Sequence, residues 1–243
     1  MMPAATIATL RRAFPDHERH ARAILDQFAG NRRDVAPPLS GRGYLLCITP
    51  RSGSSMLADV LGRTQSVGVA REHFRADGAS IPNWMSTCGL KGDLFQMFPL
   101  ISEGVFAGPG CIFKHIYLTR RDHIGQAISL ARAVKTNEWH SHDAPAPDPE
   151  LIIDEVLGYV RYLRTMESDW ETVFTTLGIA PLRLYYEDLV SGAASVFERT
   201  RQYLDVQWKV DPMGIVSSYK PVRERHDPRW IENLRSQLEV LPV

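Results

Sequence analysis

Hydrophobic positions along the chain follow two alternating patterns. Continuous apolar runs of strand length cover residues 44–49 and 111–119, and a third run, "PLRLYYEDL", covers residues 181–189. Apolar residues recur at steps of three and four over residues 56–61, 124–134 and 149–177, which predicts amphipathic helices. Strands that alternate with helices predict a three-layer α/β/α fold around a central parallel sheet, with ligands beyond the carboxyl ends of the strands.

The remaining segments are assigned from weaker patterns. Residues 7–28 predict one polar, Arg-rich helix within an N-terminal helical extension over residues 1–40, and residues 193–204 and 228–238 predict two C-terminal helices. No sustained period occurs over residues 64–109, so no element is predicted there. We expect a single domain over residues 1–243, because 44% apolar content in 243 residues suits one sizeable core.

Composition narrows the partners that can be expected. Lys+Arg and Asp+Glu number 28 each, so no bulk positive field favours nucleic acid, and any anion site must be local. Three scattered cysteines are too few for a disulfide framework or a metal cluster, and we expect no metal. The start of the sequence lacks the apolar core of a signal peptide, and no apolar run approaches the ~20 residues of a membrane span. We therefore expect a cytoplasmic protein without a membrane span.

The sequence "PRSGSS" stands between the first strand-like run and the following helix, which is the layout of a phosphate-binding loop. Arg51 brings a permanent positive charge, and backbone N–H groups and hydroxyls come from Ser52, Gly53, Ser54 and Ser55. The Gly-Lys-Ser/Thr ending of an ATP- or GTP-binding loop is absent, which disfavours a kinase or NTPase. A Ser-rich helix cap beside a surface arginine is the alternative.

A second basic turn follows the second strand-like run. Arg120 and Arg121 leave that strand, and Ser129 lies about two helical turns into the next helix, so all three can face the strand ends. This arrangement suits a second phosphate. The alternative is a solvated helix start with Asp122 as its N-cap.

Five segments carry a resemblance to a known family. In order along residues 44–234, with gaps, "PRSGSS", "GVAREHF", "LTRRDHIGQAISLARAVKTNEW", "GIAPLRLYYEDL" and "RERHDPRWIENL" resemble the bacterial trehalose 2-sulfotransferase family of PAPS-dependent sulfotransferases. The resemblance implies a P-loop NTPase-like sulfotransferase fold. It also implies transfer of a sulfuryl group from PAPS to a hydroxyl of a small-molecule, sugar or glycolipid acceptor, with PAP as product and a possible homodimer.

The resemblance also implies roles for individual residues. The 5′-phosphosulfate loop falls on residues 51–55, where Arg51 and the loop N–H groups are expected to stabilise charge on the leaving phosphate. The 3′-phosphate site falls on Arg120, with Arg121 as close alternate, and on Ser129.

On the acceptor side, the general base falls on Glu72 of "GVAREHF", and His73 and Trp139 are expected to contact the acceptor.

Several alternatives stay open. Glu72 is otherwise read as a surface carboxylate paired with Arg71 or Arg75, and His115 is a rival base whose place in an apolar strand favours a structural histidine. The family continues after Val105-Phe106 with Gly-x-Lys and a further stretch, whereas here "AGPGCIFKHIYLT" follows, which predicts a shortened acceptor segment. The alternative functions are a phosphotransferase with a modified loop and a catalytically impaired PAP-binding protein.

Overall fold

A computed structural model of the protein describes residues 2–27, 43–72, 74, 89–107, 113–140, 143, 146–147, 149–219, 232 and 236. The described strands form one parallel sheet in the order β2-β1-β3-β4. Their bounds are β1 (Gly43–Ile48), β2 (Gly89–Gly92), β3 (Phe113–Thr119) and β4 (Leu182–Tyr185).

Helices precede, connect and follow these strands. They are α1 (Ala4–Ala13), α2 (Pro15–Gln27), α3 (Ser54–Arg63), α4 (Leu94–Ser102), α5 (His123–Thr136), α6 (Ile153–Leu177), α7 (Tyr186–Ser191) and α8 (Ala193–Leu204). A short 3-10 helix covers Pro212–Gly214. None of the described helices is both long and apolar enough to cross a lipid bilayer.

The central strand β1 explains the layered architecture. All six of its residues are buried, as expected of a parallel strand covered on both faces. Leu45 and Cys47 belong to a core cluster with α1, α2, α4 and α6, whereas the intervening Tyr44, Leu46 and Ile48 pack in a second cluster with α3 and α8. Because successive side chains in a strand point to opposite faces, the sheet is covered on both sides. The predicted three-layer α/β/α fold is confirmed.

Strand register brings three segments to one edge of the sheet. β1 ends one residue before the "PRSGSS" loop, and β3 ends directly before Arg120. Ile48 pairs with Leu118 near these ends. In β2, Lys91 pairs with Leu46, so this lysine also lies near the carboxyl edge.

Several element boundaries differ from the sequence prediction. The single helix predicted over residues 7–28 is two helices, α1 and α2, because Pro15 lacks the N–H that would continue the first and instead begins the second. β4 ends at Tyr185, and the rest of "YYEDL" belongs to α7. β2 and α4 lie where no element was predicted. The helix predicted over residues 228–238 falls largely outside the described residues.

Candidate functional site

The loop after β1 has the backbone of an anion cradle. Arg51 (φ 62°) and Gly53 (φ 82°) both adopt left-handed conformations, and α3 begins at the next residue, Ser54. Such turns gather successive N–H groups into a concavity, and the helix N-terminus adds a partial positive charge. A Cβ on Gly53 would lie 2.6 Å from the ring of Tyr186, so the position requires glycine on two counts. The hydroxyl of Ser52 is buried and makes no hydrogen bond.

Arg51 reaches from this loop to α5 and the segment that follows it. Its Nε donates a 3.0 Å hydrogen bond to Ser129 Oγ, and its Nη1 donates to the backbone carbonyl of Trp139. Burial is the main cause that lowers the pKa of Arg51, and the nearby Arg120 and Arg132 lower it further. Arg51 therefore lies near two further arginines, of which Arg132 is paired with Glu138 at 2.9 Å.

The two arginines of the second turn have different surroundings. Arg120 is buried, with its guanidinium 4.6 Å from the centre of the Tyr186 ring, and its Nε makes no hydrogen bond. Its nearest carboxylates are Asp122 at 3.5 Å and Glu187 at 3.8 Å.

Arg121 is exposed and makes a bidentate pair with Asp188 at 2.6 and 2.8 Å. Of the two, Arg120 faces the loop.

The beginning of α7 supports the second turn. Glu187 accepts hydrogen bonds from the backbone N–H groups of Arg121 and Asp122, each at 3.1 Å. Asp122 in turn accepts from Gly125 N at 2.9 Å and so caps α5. Tyr186 touches both turns, because its ring lies against Gly53 and beneath Arg120. The "YED" triplet therefore holds the two turns together, a role that its sequence alone did not indicate.

Glu72 pairs with a lysine that the sequence analysis did not select. Lys91 Nζ lies 3.0 Å from Glu72 Oε1 and donates a 3.0 Å hydrogen bond to Ser55 Oγ. Glu72 thus meets the loop through Lys91.

A Gly-x-Lys triplet also exists in this chain, upstream of Phe106, where Gly89, Leu90 and Lys91 form part of β2. The shortened acceptor segment expected after Phe106 stays a prediction.

The geometry agrees with what sequence comparison finds. The profile of the family described as Stf0 sulphotransferase matches residues 106–237, more than half of the chain. The chain belongs to the Stf0 sulphotransferase family. The matched residues include the second basic turn, Ser129 and the "YED" triplet.

Two curated relatives carry the same name. A trehalose 2-sulfotransferase of Mycobacterium tuberculosis (strain ATCC 35801 / TMC 107 / Erdman) is 25% identical over 183 residues, which cover 69% of this chain and 66% of the relative. A trehalose 2-sulfotransferase of Mycolicibacterium smegmatis (strain ATCC 700084 / mc(2)155) is 29% identical over 136 residues, 53% of this chain and 48% of the relative. The matched part of the chain thus spans about two thirds and about half of these relatives.

Two further residues, Trp139 and His73, were predicted for the site. Trp139 is 38% exposed and meets Arg51 through its carbonyl, while its indole N–H donates to Asn137 Oδ1 at 2.9 Å. His73 lies outside the described residues.

The rival base His115 is buried in β3, where a ring nitrogen lies 2.9 Å from the Phe106 carbonyl oxygen and burial lowers its pKa. These contacts are those of a structural histidine. Among the described residues, no group of three or more His, Cys, Asp or Glu side chains is arranged to hold a metal ion.

Proposed function

We propose that this protein transfers a sulfuryl group from PAPS to a hydroxyl of a small-molecule, sugar or glycolipid acceptor and releases PAP. One observation carries the proposal, namely the contacts between the two basic turns. Arg51 of the first turn donates a hydrogen bond to Ser129 of α5, and the ring of Tyr186 packs against both Gly53 of the first turn and Arg120 of the second. Two cationic sites therefore lie side by side at the carboxyl edge of the sheet. Membership of a sulfotransferase family implies a sulfuryl donor.

The side chains present fit this donor. PAPS supplies an activated sulfuryl group on a 5′-phosphate and carries a separate ribose 3′-phosphate. The left-handed loop and the buried Ser52 hydroxyl suit the first anionic end, and the second is suited by Ser129 and by Arg120, whose Nε makes no hydrogen bond. A donor with no γ-phosphate needs neither the lysine nor the magnesium of an NTPase loop, and "PRSGSS" has no lysine.

Glu72 is proposed as the general base. It takes the proton of the acceptor hydroxyl while that oxygen bonds sulfur, and the electron pair of the broken sulfur–oxygen bond leaves on the 5′-phosphate. Arg51 and the loop N–H groups offset the charge that develops on this phosphate. A well-placed base contributes about 10²–10⁴-fold to the rate.

The acceptor is proposed more broadly than the donor. Both curated relatives are named for trehalose, and this sugar is the first acceptor to test. Trp139 is exposed beside Arg51 and is proposed, with His73, to contact the acceptor.

Ligand-dependent thermal stability tests the donor. PAP is expected to raise the melting temperature more than AMP or ADP at equal concentration, because only PAP carries the 3′-phosphate. Equal stabilisation by all three ligands contradicts the proposal, and stronger stabilisation by ATP with magnesium favours a phosphotransferase. PAP binding without turnover of any acceptor favours an impaired PAP-binding protein.

Two matched arginine variants test the 3′-phosphate site. Arg120→Ala is expected to weaken PAP binding by roughly tenfold to a hundredfold, the value of a hydrogen bond between charged groups, while AMP binding changes little. Arg121→Ala serves as the control, because Arg121 is occupied by Asp188. Calorimetric titration measures both, and an equal loss in the two variants rejects Arg120 as the specific ligand.

Replacement of the base separates binding from transfer. Glu72→Gln is expected to leave PAP affinity within about twofold and to lower turnover by about 10²–10⁴-fold, because only the proton acceptor is lost. The assay follows PAP release from PAPS with trehalose as the first acceptor. Unchanged turnover in the variant removes Glu72 as the base.

A further inference from the structure

Lys91 occupies a position that the proposed chemistry does not yet use. Its side chain is 8% exposed, and an ammonium so buried is costly unless it is paired. Its two partners lie on different sides of the site: Glu72 Oε1 on the acceptor side and Ser55 Oγ at the start of α3, each 3.0 Å from Nζ. One cation therefore joins the proposed base to the proposed donor loop.

The surrounding backbone fixes this bridge. The N–H of Lys91 donates to the Arg71 carbonyl at 2.9 Å, which ties β2 to the segment that carries Glu72. Gln96 donates to the second oxygen of Glu72 at 3.2 Å. Gln96 is itself held by a reciprocal capping box with Asp93 at the start of α4. One oxygen of Glu72 thus accepts a hydrogen bond from Gln96, and the other forms an ion pair with Lys91, both on rigid elements.

The charges around Glu72 have opposing effects. Lys91 faces it as a cation, whereas Asp93 faces it as an acid whose pKa is raised to about 6, mainly by burial and in part by Glu72. A donor bound at the loop would add further negative charge, and like charges favour the protonated form of a carboxyl group. A protonated Glu72 cannot act as a base. Lys91 is a cation that opposes this effect.

We propose that Lys91 is a positioning residue of the transfer site, which keeps Glu72 ionised and aligned with the donor loop through Ser55. This inference rests on the proposed function, because it takes Glu72 as the base. An ammonium group carries three hydrogens, and Nζ has two partners among the residues that the structure describes: the ion-paired Glu72 Oε1 and the hydrogen-bonded Ser55 Oγ. A remaining hydrogen is available to an anionic oxygen at the loop.

The test measures the titration of Glu72 directly and needs no acceptor. In protein labelled with ¹³C at the glutamate carboxyl carbon, the Glu72 signal is identified by its loss in Glu72→Gln. We expect Lys91→Met to move its titration midpoint to higher pH by about one unit or more, because an opposite charge within about 4–6 Å favours the ionised form. PAP is expected to move the midpoint further in Lys91→Met than in the wild type.

Matched variants keep the test decisive. Lys114→Met makes the same change on β3, at a lysine that lies over the Tyr203 ring, and should leave the midpoint unchanged. If Lys91→Met fails to fold, two further variants replace it: Lys91→Gln removes the charge and Lys91→Arg retains it. Only Lys91→Gln should then raise the titration midpoint of Glu72. An unchanged midpoint in the charge-removing variants overturns the inference.

Failure of the inference and failure of the proposed function give different results. If PAP does not stabilise the wild-type protein, the proposed function fails and so does a role for Lys91 in it, even where the midpoint moves. If PAP stabilises the wild type but its effect on the midpoint is the same with and without Lys91, the inference alone fails. A midpoint that responds to PAP only weakly in the wild type and strongly in Lys91→Met supports both.

Discussion

Single residues at the sheet edge are held by steric fit as much as by charge. The ring of Tyr186 fills the space beside Gly53 on one side and supports the Arg120 guanidinium on the other. A cation over an aromatic face gains more when it is removed from water, and Arg120 is buried. The position of one candidate anion site therefore depends on the shape of the other.

Gly53→Ala is expected to abolish measurable PAP binding. A left-handed φ costs a residue with a Cβ roughly 1–2 kcal/mol, and here the Cβ would also meet Tyr186 at 2.6 Å. The ring or the loop must then move, which disturbs both turns. Gly214→Ala is the control, because nothing lies within 4 Å of a Cβ at that position. Calorimetric titration with PAP checks both variants, and near wild-type affinity in Gly53→Ala would contradict the importance of this contact.

At the scale of elements, the N-terminus of α5 links helix stability to the candidate donor site. Asp122 caps the helix through Gly125 N, donates its own backbone N–H to the Glu187 carboxylate of α7, and pairs with Arg120 at 3.5 Å. One side chain thus fixes both the start of the helix and the direction of the buried arginine.

Asp122→Ala is expected to lower the free energy of unfolding by about 1 kcal/mol, the usual cost of losing an N-cap. PAP affinity should fall as well, because Arg120 loses one of its two carboxylate neighbours. Asp122→Asn retains a capping oxygen and should restore stability. Urea unfolding and PAP titration measure the two effects, and a stable Asp122→Ala variant with full affinity would show that this cap is dispensable.

The sequence correctly predicted those elements whose own hydrophobic pattern is enough to identify a strand or a helix. β1 and β3 are continuous apolar runs, α6 keeps its apolar stripe to the C-cap at Gly178, and α8 has the predicted bounds. β2 has four residues, two of them glycine, and lies 40 residues after β1 in the chain although it pairs with it. The hydrophobic periodicity of so short a segment cannot predict such a strand.

The residues of the candidate site likewise divide into those that local sequence patterns identify and those that only the fold brings together. The loop and the second turn could be found because each follows a predictable strand. Lys91 could not be found in this way, because its contacts with Glu72 and Ser55 depend on the order of the strands in the sheet and not on spacing in the sequence. The choice between Arg120 and Arg121 likewise required the contacts of α7, since neighbouring arginines are equivalent in sequence.

At the scale of the molecule, the first two helices share a core with the sheet. Leu10, Phe14 and Ile24 belong to the same buried cluster as Leu45 and Cys47 of β1. The expectation of a single domain stays a prediction, and this shared core is the reason to keep it. A shared core predicts that α1 and α2 contribute to the stability of the whole.

His17 gives a pH-dependent test of this shared core. It is 9% exposed on α2, and its ring stacks on Phe95 of α4 with a centroid distance of 3.7 Å. Burial lowers its pKa to about 4; Asp16 opposes this shift and His20 adds to it. Between its ordinary pKa of 6.5 and about 4, the unfolded chain takes up a proton that the folded protein does not. Stability should therefore fall as the pH falls through this window, by about 3 kcal/mol for this group.

His17→Phe removes this titration while keeping an aromatic ring against Phe95. The loss of unfolding free energy between pH 7 and pH 4 should be smaller than in the wild type by up to about 3 kcal/mol, since other groups titrate equally in both. Urea unfolding is followed by tryptophan fluorescence, which includes the signal of Trp170; this residue is fully buried in the same cluster and donates to the Ile48 carbonyl at 3.0 Å. His20→Phe is the comparison variant and should change the dependence less than His17→Phe does, because His20 is the smallest of the three causes of the His17 shift. If the pH dependence is the same in all three proteins, α2 unfolds independently of the sheet; a change that is largest in His17→Phe means that the N-terminal helices and the strand before the candidate donor loop unfold as one unit.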